Sequence, residues 1–276
     1  MNIRLGNLFA GLSKNTYYLL ILIFFFGPIS WLLLASINVE PNSSWEIPQQ
    51  VTLEHYAELI TESDLLVWLR NSFTLAIGTM ALTVVLATMA AYPLSRVSFR
   101  GKQIFMYALL LARVMPITAV IIPIFSLAVQ LSLVNTFSGA ILILSAMQLP
   151  ISLWIMKGFV DSIPIELEES AWLDGCNRLT GLTRIVFPLM APGVAVTGLF
   201  AFLAAWGDFL IPLIILRSPT TFPIAMGLYR AFGNEGSVNF GFLTALSVIY
   251  SIPSILLYLF ARQYLVKGMT AGGVKM

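Results

Sequence analysis

The sequence predicts an all-α integral membrane protein, and three observations carry this prediction. Of the 276 residues, 58% are hydrophobic and only 10% are charged, whereas soluble globular domains carry about 25% charged residues. The mean hydropathy is +0.89, which is too high for a disordered chain. Six stretches are apolar over about 20 residues, the length that an α-helix needs to cross a bilayer. Composition therefore excludes a soluble enzyme.

The six apolar stretches are interpreted as transmembrane helices. They cover residues 17–37, 71–94, 104–131, 137–156, 186–216 and 240–261. The third and the fifth are longer than a straight crossing requires, and they contain Pro116 and Pro123, and Pro188, Pro192 and Pro212, respectively. Proline removes a backbone donor and clashes with the preceding turn. We therefore expect these two helices to be kinked, tilted or extended beyond the bilayer.

The distribution of basic residues predicts that both termini are cytoplasmic. Eleven of the fifteen basic residues fall on one side of the six spans: Arg4, Lys14, Arg96, Arg100, Lys102, Lys157, Arg178, Arg184, Arg262, Lys267 and Lys275. Three fall on the other side, and Arg113 lies within a span. Cytoplasmic loops of membrane proteins carry the excess of Lys and Arg. The first span is interpreted as an uncleaved helix, because its apolar run exceeds the core of a signal peptide.

The outer connection, residues 38–70, predicts a short helix. Its segment 52–63 has Thr52 as a candidate N-cap and apolar residues at one-face spacing. A helix lying on the membrane surface and a lid or docking surface are both compatible with this pattern. No repeat or linker interrupts the chain, so residues 1–276 are interpreted as one membrane domain.

Cofactor and nucleic-acid chemistry find little support in the sequence. His55 is the only histidine and Cys176 the only cysteine. An intrachain disulfide is therefore excluded, and most zinc, haem and Ser-His-Asp chemistry is removed. The net charge of +2 is too small to indicate nucleic-acid binding. We expect no metal and no cofactor on this chain.

The cytoplasmic loop 157–184 predicts a helix of its own at about residues 164–174. Pro164 suits a first helical turn, and three glutamates follow it, where acids favour the positive end of the helix dipole. Gly175 is a natural stop. The apolar residues of this helix extend most of the way around it. Such a helix is stable when several sides are buried, which indicates a groove on a partner protein.

The residues of this loop carry a family resemblance. The run Glu169-Ser170-Ala171, then Gly175, then Ile185-Val186-Phe187-Pro188 resembles the E-A-A loop of binding-protein-dependent ABC importer permeases. That pattern is E-A-A, three residues, G, nine residues, I-x-L-P, and the spacing here matches throughout. Ser170 in place of alanine and Phe187 in place of leucine are mild departures.

The resemblance extends to the carbohydrate-uptake branch of that family. Asn71-Ser72, Trp206-Gly207-Asp208-Phe209 and the C-terminal run 268–275 are similar to this branch. The tail in particular resembles the smaller membrane subunit of maltose- and trehalose-type transporters. The similar segments are spread over nearly the whole chain.

The resemblance implies a permease subunit of an ATP-driven importer in a bacterial or archaeal plasma membrane, for a di- or oligosaccharide such as maltose or trehalose. Its implied partners are a second homologous permease, two copies of an ATP-binding subunit that hold ATP and Mg, a soluble extracytoplasmic substrate-binding protein, and membrane lipid. The chain has no G-x-x-x-x-G-K-[ST] phosphate loop, so we expect no hydrolysis by this subunit. An ABC permease for another small solute and a secondary transporter are the alternatives.

Three groups of residues are candidates for these functions. By resemblance, Glu168, Glu169, Ser170, Ala171, Asp174 and Gly175 couple to the ATPase. An extended tail with Thr270, Gly272 and Gly273 contacts the ATPase subunits or is a frayed end. Arg113, Gln130, Gln148, Trp206 and Asp208 lie in spans and are candidates for the translocation pathway or for helix packing. An Arg113–Asp208 ion pair is a further hypothesis.

Overall fold

The computed structural model describes residues 2–61, 63–229, 231 and 238–273, and the side chains of residues 16–61, 63–177, 180–229, 231 and 238–263. Its helices, in chain order, are α1 (Asn2–Ser36), α2 (Glu54–Thr61), α3 (Leu65–Arg96), α4 (Lys102–Val114), α5 (Ile117–Gln130), α6 (Phe137–Asp161), α7 (Glu166–Leu173), α8 (Arg178–Gly181), α9 (Phe187–Leu189), α10 (Ala191–Gly207), α11 (Leu210–Ile215), α12 (Ile224–Tyr229) and α13 (Phe240–Gly273). A π-helical segment, Leu182–Val186, precedes α9, and a 3-10 turn, Pro219–Thr221, precedes α12.

The predicted all-α membrane architecture is confirmed. Within the described ranges, four helical segments are long and apolar enough to cross a membrane: Thr16–Ser36, Leu65–Arg96, Phe137–Asp161 and Phe240–Gln263. Two bent helix pairs raise the total to six if each pair is one span. The six-span topology and the side on which the termini lie stay predictions.

The third predicted span is a broken helix. Helices α4 and α5 meet at an angle of 100°, with the break at Met115 and Pro116. Met115 has an extended backbone, φ −64° and ψ 125°, because the proline ring that follows it disfavours the helical conformation. Pro123 lies inside α5 without ending it. The expected kink in the segment 104–131 is therefore a full break at Pro116 that divides the segment into two helices.

The fifth predicted span, 186–216, is also interrupted. The helical segment Leu182–Leu189 bends by 64° into α10 at Met190. A second break follows α10, where Asp208 has an extended backbone with ψ 126°. The segment therefore comprises α9, α10 and α11 rather than one kinked helix. Pro192, at the start of α10, fits there because the first turn needs no backbone donor.

Contacts divide the chain into two units. The first comprises Met1–Leu65 and Leu228–Ile252, and the second comprises Leu66–Gly227 and Pro253–Met276. In the first unit the outer loop is closed by an antiparallel bridge between Asn38 and Val51. The predicted outer helix is present as α2, and the hydroxyl of Thr52 accepts a bond of 3.0 Å from the backbone of Glu54. The single-domain interpretation stays a prediction.

The second unit has an apolar core close to α7. The buried members come from α3, α4, α6, the residues that follow α6, and the segment before α10: Ala87, Ala91, Leu94, Met106, Leu153, Met156, Val160, Ile163, Val186 and Met190. This core packs the ends of several helices together. Two members of this core, Val160 and Ile163, lie shortly before α7 in the chain. The helix predicted for the loop 157–184 therefore begins next to a well-packed part of the protein.

The packing of α10 against α6 predicts a strong effect at Gly193. A β-carbon on Gly193 would lie 2.7–2.9 Å from three atoms of Phe159, one of which is the β-carbon of Phe159. We expect Gly193→Ala to lower the free energy of unfolding by about 1–3 kcal/mol, because overpacking displaces side chains. A β-carbon on Gly158 meets nothing within 4 Å, so Gly158→Ala is the matched control. Thermal unfolding of the purified protein in detergent measures both, and equal midpoints would contradict the packing argument.

Candidate functional site

The helix α7 is the first candidate site, and its bounds agree with the predicted segment. The chain leaves α6, turns at Pro164, and forms α7 over Glu166–Leu173. Three acidic residues occupy the first turn: Glu166, Glu168 and Glu169. Negative charge at this end offsets the partial positive charge of the helix N-terminus. Helix α7 is thus a separate element between two long apolar segments.

Gly175 ends α7 in a Schellman motif. The amide of Cys176 donates to the carbonyl of Ala171 at 2.9 Å, and the amide of Gly175 donates to that of Trp172 at 3.1 Å. This pattern requires a left-handed residue after the helix, and Gly175 has φ +88°. A β-carbon there would meet nothing within 4 Å. Glycine is therefore required for its backbone conformation rather than for a close approach.

The surface of α7 combines a buried side with exposed apolar side chains. Ala171 and Glu168 are buried, whereas Leu173 is 90% exposed. Leu167 and Ile165 are also exposed. Glu169, Ser170 and Asp174 are exposed as well, and the Ser170 hydroxyl donates to the carbonyl of Glu166 at 2.8 Å. Contiguous exposed apolar patches rimmed by polar residues are typical of surfaces that contact a partner protein or a membrane.

A cavity of about 700 Å³ in the second unit is the second candidate site. Its lining is mostly apolar, but Arg113, Gln148 and Asp208 contribute polar groups. The break after α4 and the break after α10 both reach it, because Met115 and Gly207 also line it. Irregular backbone at membrane depth is tolerated where it lines a cavity. The breaks therefore place backbone and side-chain polar groups around one space.

The five predicted pathway residues divide between this cavity and other places. Arg113, Gln148 and Asp208 line the cavity, whereas Gln130 and Trp206 are not among its lining residues. Trp206 is buried and stacks on Phe202, with 5.6 Å between ring centroids. Gln130 is exposed at the end of α5.

The hypothesis of an Arg113–Asp208 ion pair is wrong, since no such pair forms between these two described residues. The Arg113 guanidinium donates to the carbonyl of Met147 at 2.6 Å. The Asp208 carboxylate accepts from the amide of Ile211 at 2.8 Å and so caps α11. The carbonyl that binds Arg113 lies within α6, whereas the amide that binds Asp208 lies at the start of α11. Each charged side chain therefore has a backbone partner of its own.

Comparison with known proteins decides the family. Residues 83–271 match the sequence profile of the family described as "binding-protein-dependent transport system inner membrane component". The chain belongs to this family. The permease assignment drawn from the loop pattern is confirmed, as is the multi-pass location in the inner membrane. The alternative of a secondary transporter is excluded by this membership.

Individual relatives agree with the permease family over most of their length. The permease is 31% identical to the sulfoquinovosyl glycerol transport system permease protein SmoH of Agrobacterium fabrum, covering 90% of this chain and 88% of the relative. It is also 31% identical to the trehalose/maltose transport system permease protein MalG of Thermococcus litoralis, covering 90% and 91%. A chain of a bacterial ABC transporter that imports alginate has the same fold, with a TM-score of 0.78 at 20% identity and coverage of 95% and 96%.

The Asn71-Ser72 pair of the permease joins the start of α3 to the loop before α12. The Asn71 amide nitrogen donates to the carbonyls of Thr220 and Phe222 at 2.8 and 3.0 Å. The Ser72 hydroxyl accepts from the amide of Ile224 at 2.8 Å. Both side chains are buried. Asn71 and Ser72 thus stabilise a contact with residues about 150 positions away in the chain. Sequence reasoning could not predict this contact.

The C-terminal segment of the permease continues α13. The backbone is helical through Gly273, so the expectation of an extended strand around Thr270, Gly272 and Gly273 is corrected. The span predicted to end at residue 261 lies within this longer helix. The side chains of Thr270, Gly272 and Gly273 lie outside the described ones, and their role stays a prediction.

Proposed function

We propose that the permease is the membrane subunit of an ATP-driven importer for a di- or oligosaccharide such as maltose or trehalose. It pairs with a second homologous permease, docks two ATP-binding subunits that hold ATP and Mg, and receives sugar from a soluble binding protein outside the membrane. Support for the substrate class comes from the MalG relative, which is named for trehalose and maltose. An importer of another small solute is the alternative, since SmoH is named for a different sugar derivative.

The surface of α7 is the observation that carries this proposal. Exposed apolar residues alternate with acidic ones on a short helix capped by Gly175. Glu169, Ser170, Asp174 and the side of α7 that carries Leu173 face away from the core. An ATPase subunit binding here would cover apolar area that is otherwise left in water. Closure of the ATPase on ATP would then move α7.

Copurification and uptake test the importer proposal together. A tagged permease is expressed with the proteins encoded beside it, and the purified complex is reconstituted in liposomes with the binding protein. We expect an ATPase subunit and a second permease in the complex, and ATP-dependent uptake of labelled maltose or trehalose. A complex that lacks an ATPase subunit would contradict the proposal. Uptake of another solute alone would favour the alternative.

The cavity is proposed as this chain's part of the translocation pathway. Gln148 is 5% exposed, and its side-chain oxygen has no hydrogen-bond partner in the described part of the chain. Buried polar atoms are nearly always hydrogen-bonded, to protein, water or ligand. A guanidinium has five N–H donors, and the bond from Arg113 to Met147 uses the Nη1 atom. Sugar hydroxyls both donate and accept, so they suit this pair of groups.

Replacing Gln148 distinguishes a substrate contact from a structural bond. We expect Gln148→Leu to weaken binding of labelled maltose to the purified membrane complex by up to about tenfold, the effect of one lost hydrogen bond. The midpoint of thermal unfolding should not fall, because no protein bond to the oxygen is lost. Ser152→Ala is the matched control: Ser152 lies one turn away on α6, also has a buried unpartnered oxygen, and does not line the cavity. Equal binding by both variants would contradict the pathway proposal.

A further inference from the structure

One of the three glutamates that begin α7 is directed into the protein. Glu168 is fully buried, whereas Glu166 and Glu169 are exposed. A buried carboxylate is costly unless charged and hydrogen-bonding partners surround it. Its inward position also removes it from any surface that a partner subunit could touch. Glu168 therefore acts through contacts within this chain.

The partners of Glu168 come from the last turns of α3. The Arg96 Nε atom lies 2.7 Å from one carboxylate oxygen, and the Tyr92 hydroxyl donates to the other at 2.8 Å. Tyr92 and Arg96 are four residues apart and so share one face of α3. The side chain of Arg96 is only 14% exposed. Charge-assisted bonds of this length are short, directional and among the strongest in proteins.

Arg96 also holds the chain that leads into α7. Its Nη2 atom donates to the carbonyl of Ile163 at 2.8 Å. One guanidinium thus binds both Glu168 in α7 and the backbone of Ile163 just before α7. Lysine lacks the planar set of donors that this arrangement needs. Beside it, the Ser95 hydroxyl donates to the Asp161 carboxylate at 2.5 Å. The end of α3 is therefore joined to the end of α6, to the turn and to α7.

We propose that Glu168, Arg96 and Tyr92 form a strap that makes the second span, α3, move together with α7 when the ATPase acts. The inference rests on the proposed function, in which α7 is the docking element. In sequence, α7 connects to α6 and α8 only, through turns at Pro164 and Gly175. Neither of these connections reaches α3, whereas the buried two-point contact of Glu168 does. The strap thus connects α7 to α3, a span that is not its neighbour in the chain.

Helix α3 connects the strap to the opposite end of the second unit. The helix has 32 residues, which at ~1.5 Å per residue is about 48 Å. Its other end binds the loop before α12 through Asn71 and Ser72. Pro93 lies inside α3 between the two contact residues, so Tyr92 holds Glu168 on the far side of this proline from Arg96. A displacement received at Tyr92 and Arg96 would therefore reach the opposite end of the second unit along a single helix. Glu168, Arg96 and Tyr92 are positioning residues in this step.

The test measures the ratio of sugar transported to ATP hydrolysed by the full transporter in liposomes, with labelled maltose and trehalose as probes. We expect Glu168→Gln, which keeps the shape and removes the charge, to lower this ratio about tenfold, within the range seen for residues that carry coupling. Arg96→Lys should lower it similarly, and Tyr92→Phe by about two- to threefold. Copurification of the ATPase subunits should stay as in the wild type.

The matched control is Glu166→Gln, which removes the same charge from an exposed position on the same helix. An equal fall in the ratio for Glu166→Gln would overturn the strap, because charge alone would then explain the effect. A wild-type ratio for Glu168→Gln would also overturn it. If Glu168→Gln does not assemble, Tyr92→Phe decides, since it retains the ion pair: an unchanged ratio overturns the proposal. Failure of the proposed function is distinct, because the wild-type complex itself would then lack an ATPase or uptake.

Discussion

Replacing Gly175 by leucine is expected to abolish coupled uptake while leaving the protein in the membrane. Gly175 has φ +88°, where a residue with a β-carbon is strained by about 1–2 kcal/mol. The strain opens the Schellman motif, whose two bonds fix the end of α7. Leu173 and Asp174 then lose their position on the proposed docking surface. Membrane fractionation and uptake of labelled sugar by whole cells measure the two effects.

Gly101 supplies the matched control for this prediction. It also has φ +88° with open space around it, but it precedes α4 rather than following α7. Gly101→Leu therefore carries the same backbone strain at a different turn, and we expect uptake to be retained. Gly175→Asn should retain part of the uptake, because asparagine tolerates the left-handed conformation. Normal uptake by Gly175→Leu would contradict a docking role for this turn. An equal loss of uptake in Gly175→Leu and Gly101→Leu would contradict it as well.

Replacing Asn71 by aspartate is expected to lower the free energy of unfolding by about 3 kcal/mol. Its amide nitrogen is the donor to two backbone carbonyls, and a carboxylate would place negative charge against both. The side chain is only 1% exposed, so water cannot supply replacement donors. Arg70, 3.4 Å from the amide oxygen, offsets part of the new charge but leaves the carbonyls without a donor. Thermal unfolding in detergent measures the loss.

Asn135 is the matched control, because its side chain accepts two backbone hydrogen bonds where that of Asn71 donates two. Its side-chain oxygen accepts from the amides of Arg217 and Ser218, each at 3.0 Å. Asn135→Asp keeps this acceptor and loses only the bond from its nitrogen to the Ser218 hydroxyl. We expect a much smaller change in unfolding temperature than for Asn71→Asp. Equal shifts at the two positions would show that the directions of these hydrogen bonds do not control stability.

Local sequence signals predicted the elements whose structure depends on neighbouring residues. Apolar length predicted the long helices, and composition alone placed them in lipid. Pro164 and Gly175 predicted the start and end of α7 to within about two residues of the structure. Proline content predicted a disturbance in the third and fifth spans. It could not predict a bend of 100° at Pro116 and none at Pro123, because the surrounding packing decides which proline breaks a helix.

The candidate site was less accessible to sequence reasoning, because its important contacts join distant segments. Glu168 was grouped with its exposed neighbours, and nothing near it in the sequence indicates Arg96, which lies 72 residues away. Arg113 and Asp208 were considered as partners because both are charged and within spans. Both line one cavity, yet Arg113 binds a carbonyl of α6 and Asp208 binds an amide at the start of α11.

The amino-acid sequence was enough to predict the solvent, the helical class, the family and the position of the glycine that ends α7. The solvent and the helical class follow from composition and the length of the apolar stretches, and the family from the resemblance of the loop pattern. All are properties of short stretches of chain. Helix packing sets which polar groups are buried, which of them line a cavity and which glutamate of α7 is directed inward, and none of these could be predicted from local sequence. The scarcity of charge makes this decision consequential: in a chain with 10% charged residues, each buried charge must find a specific partner, and that partner is set by packing between helices.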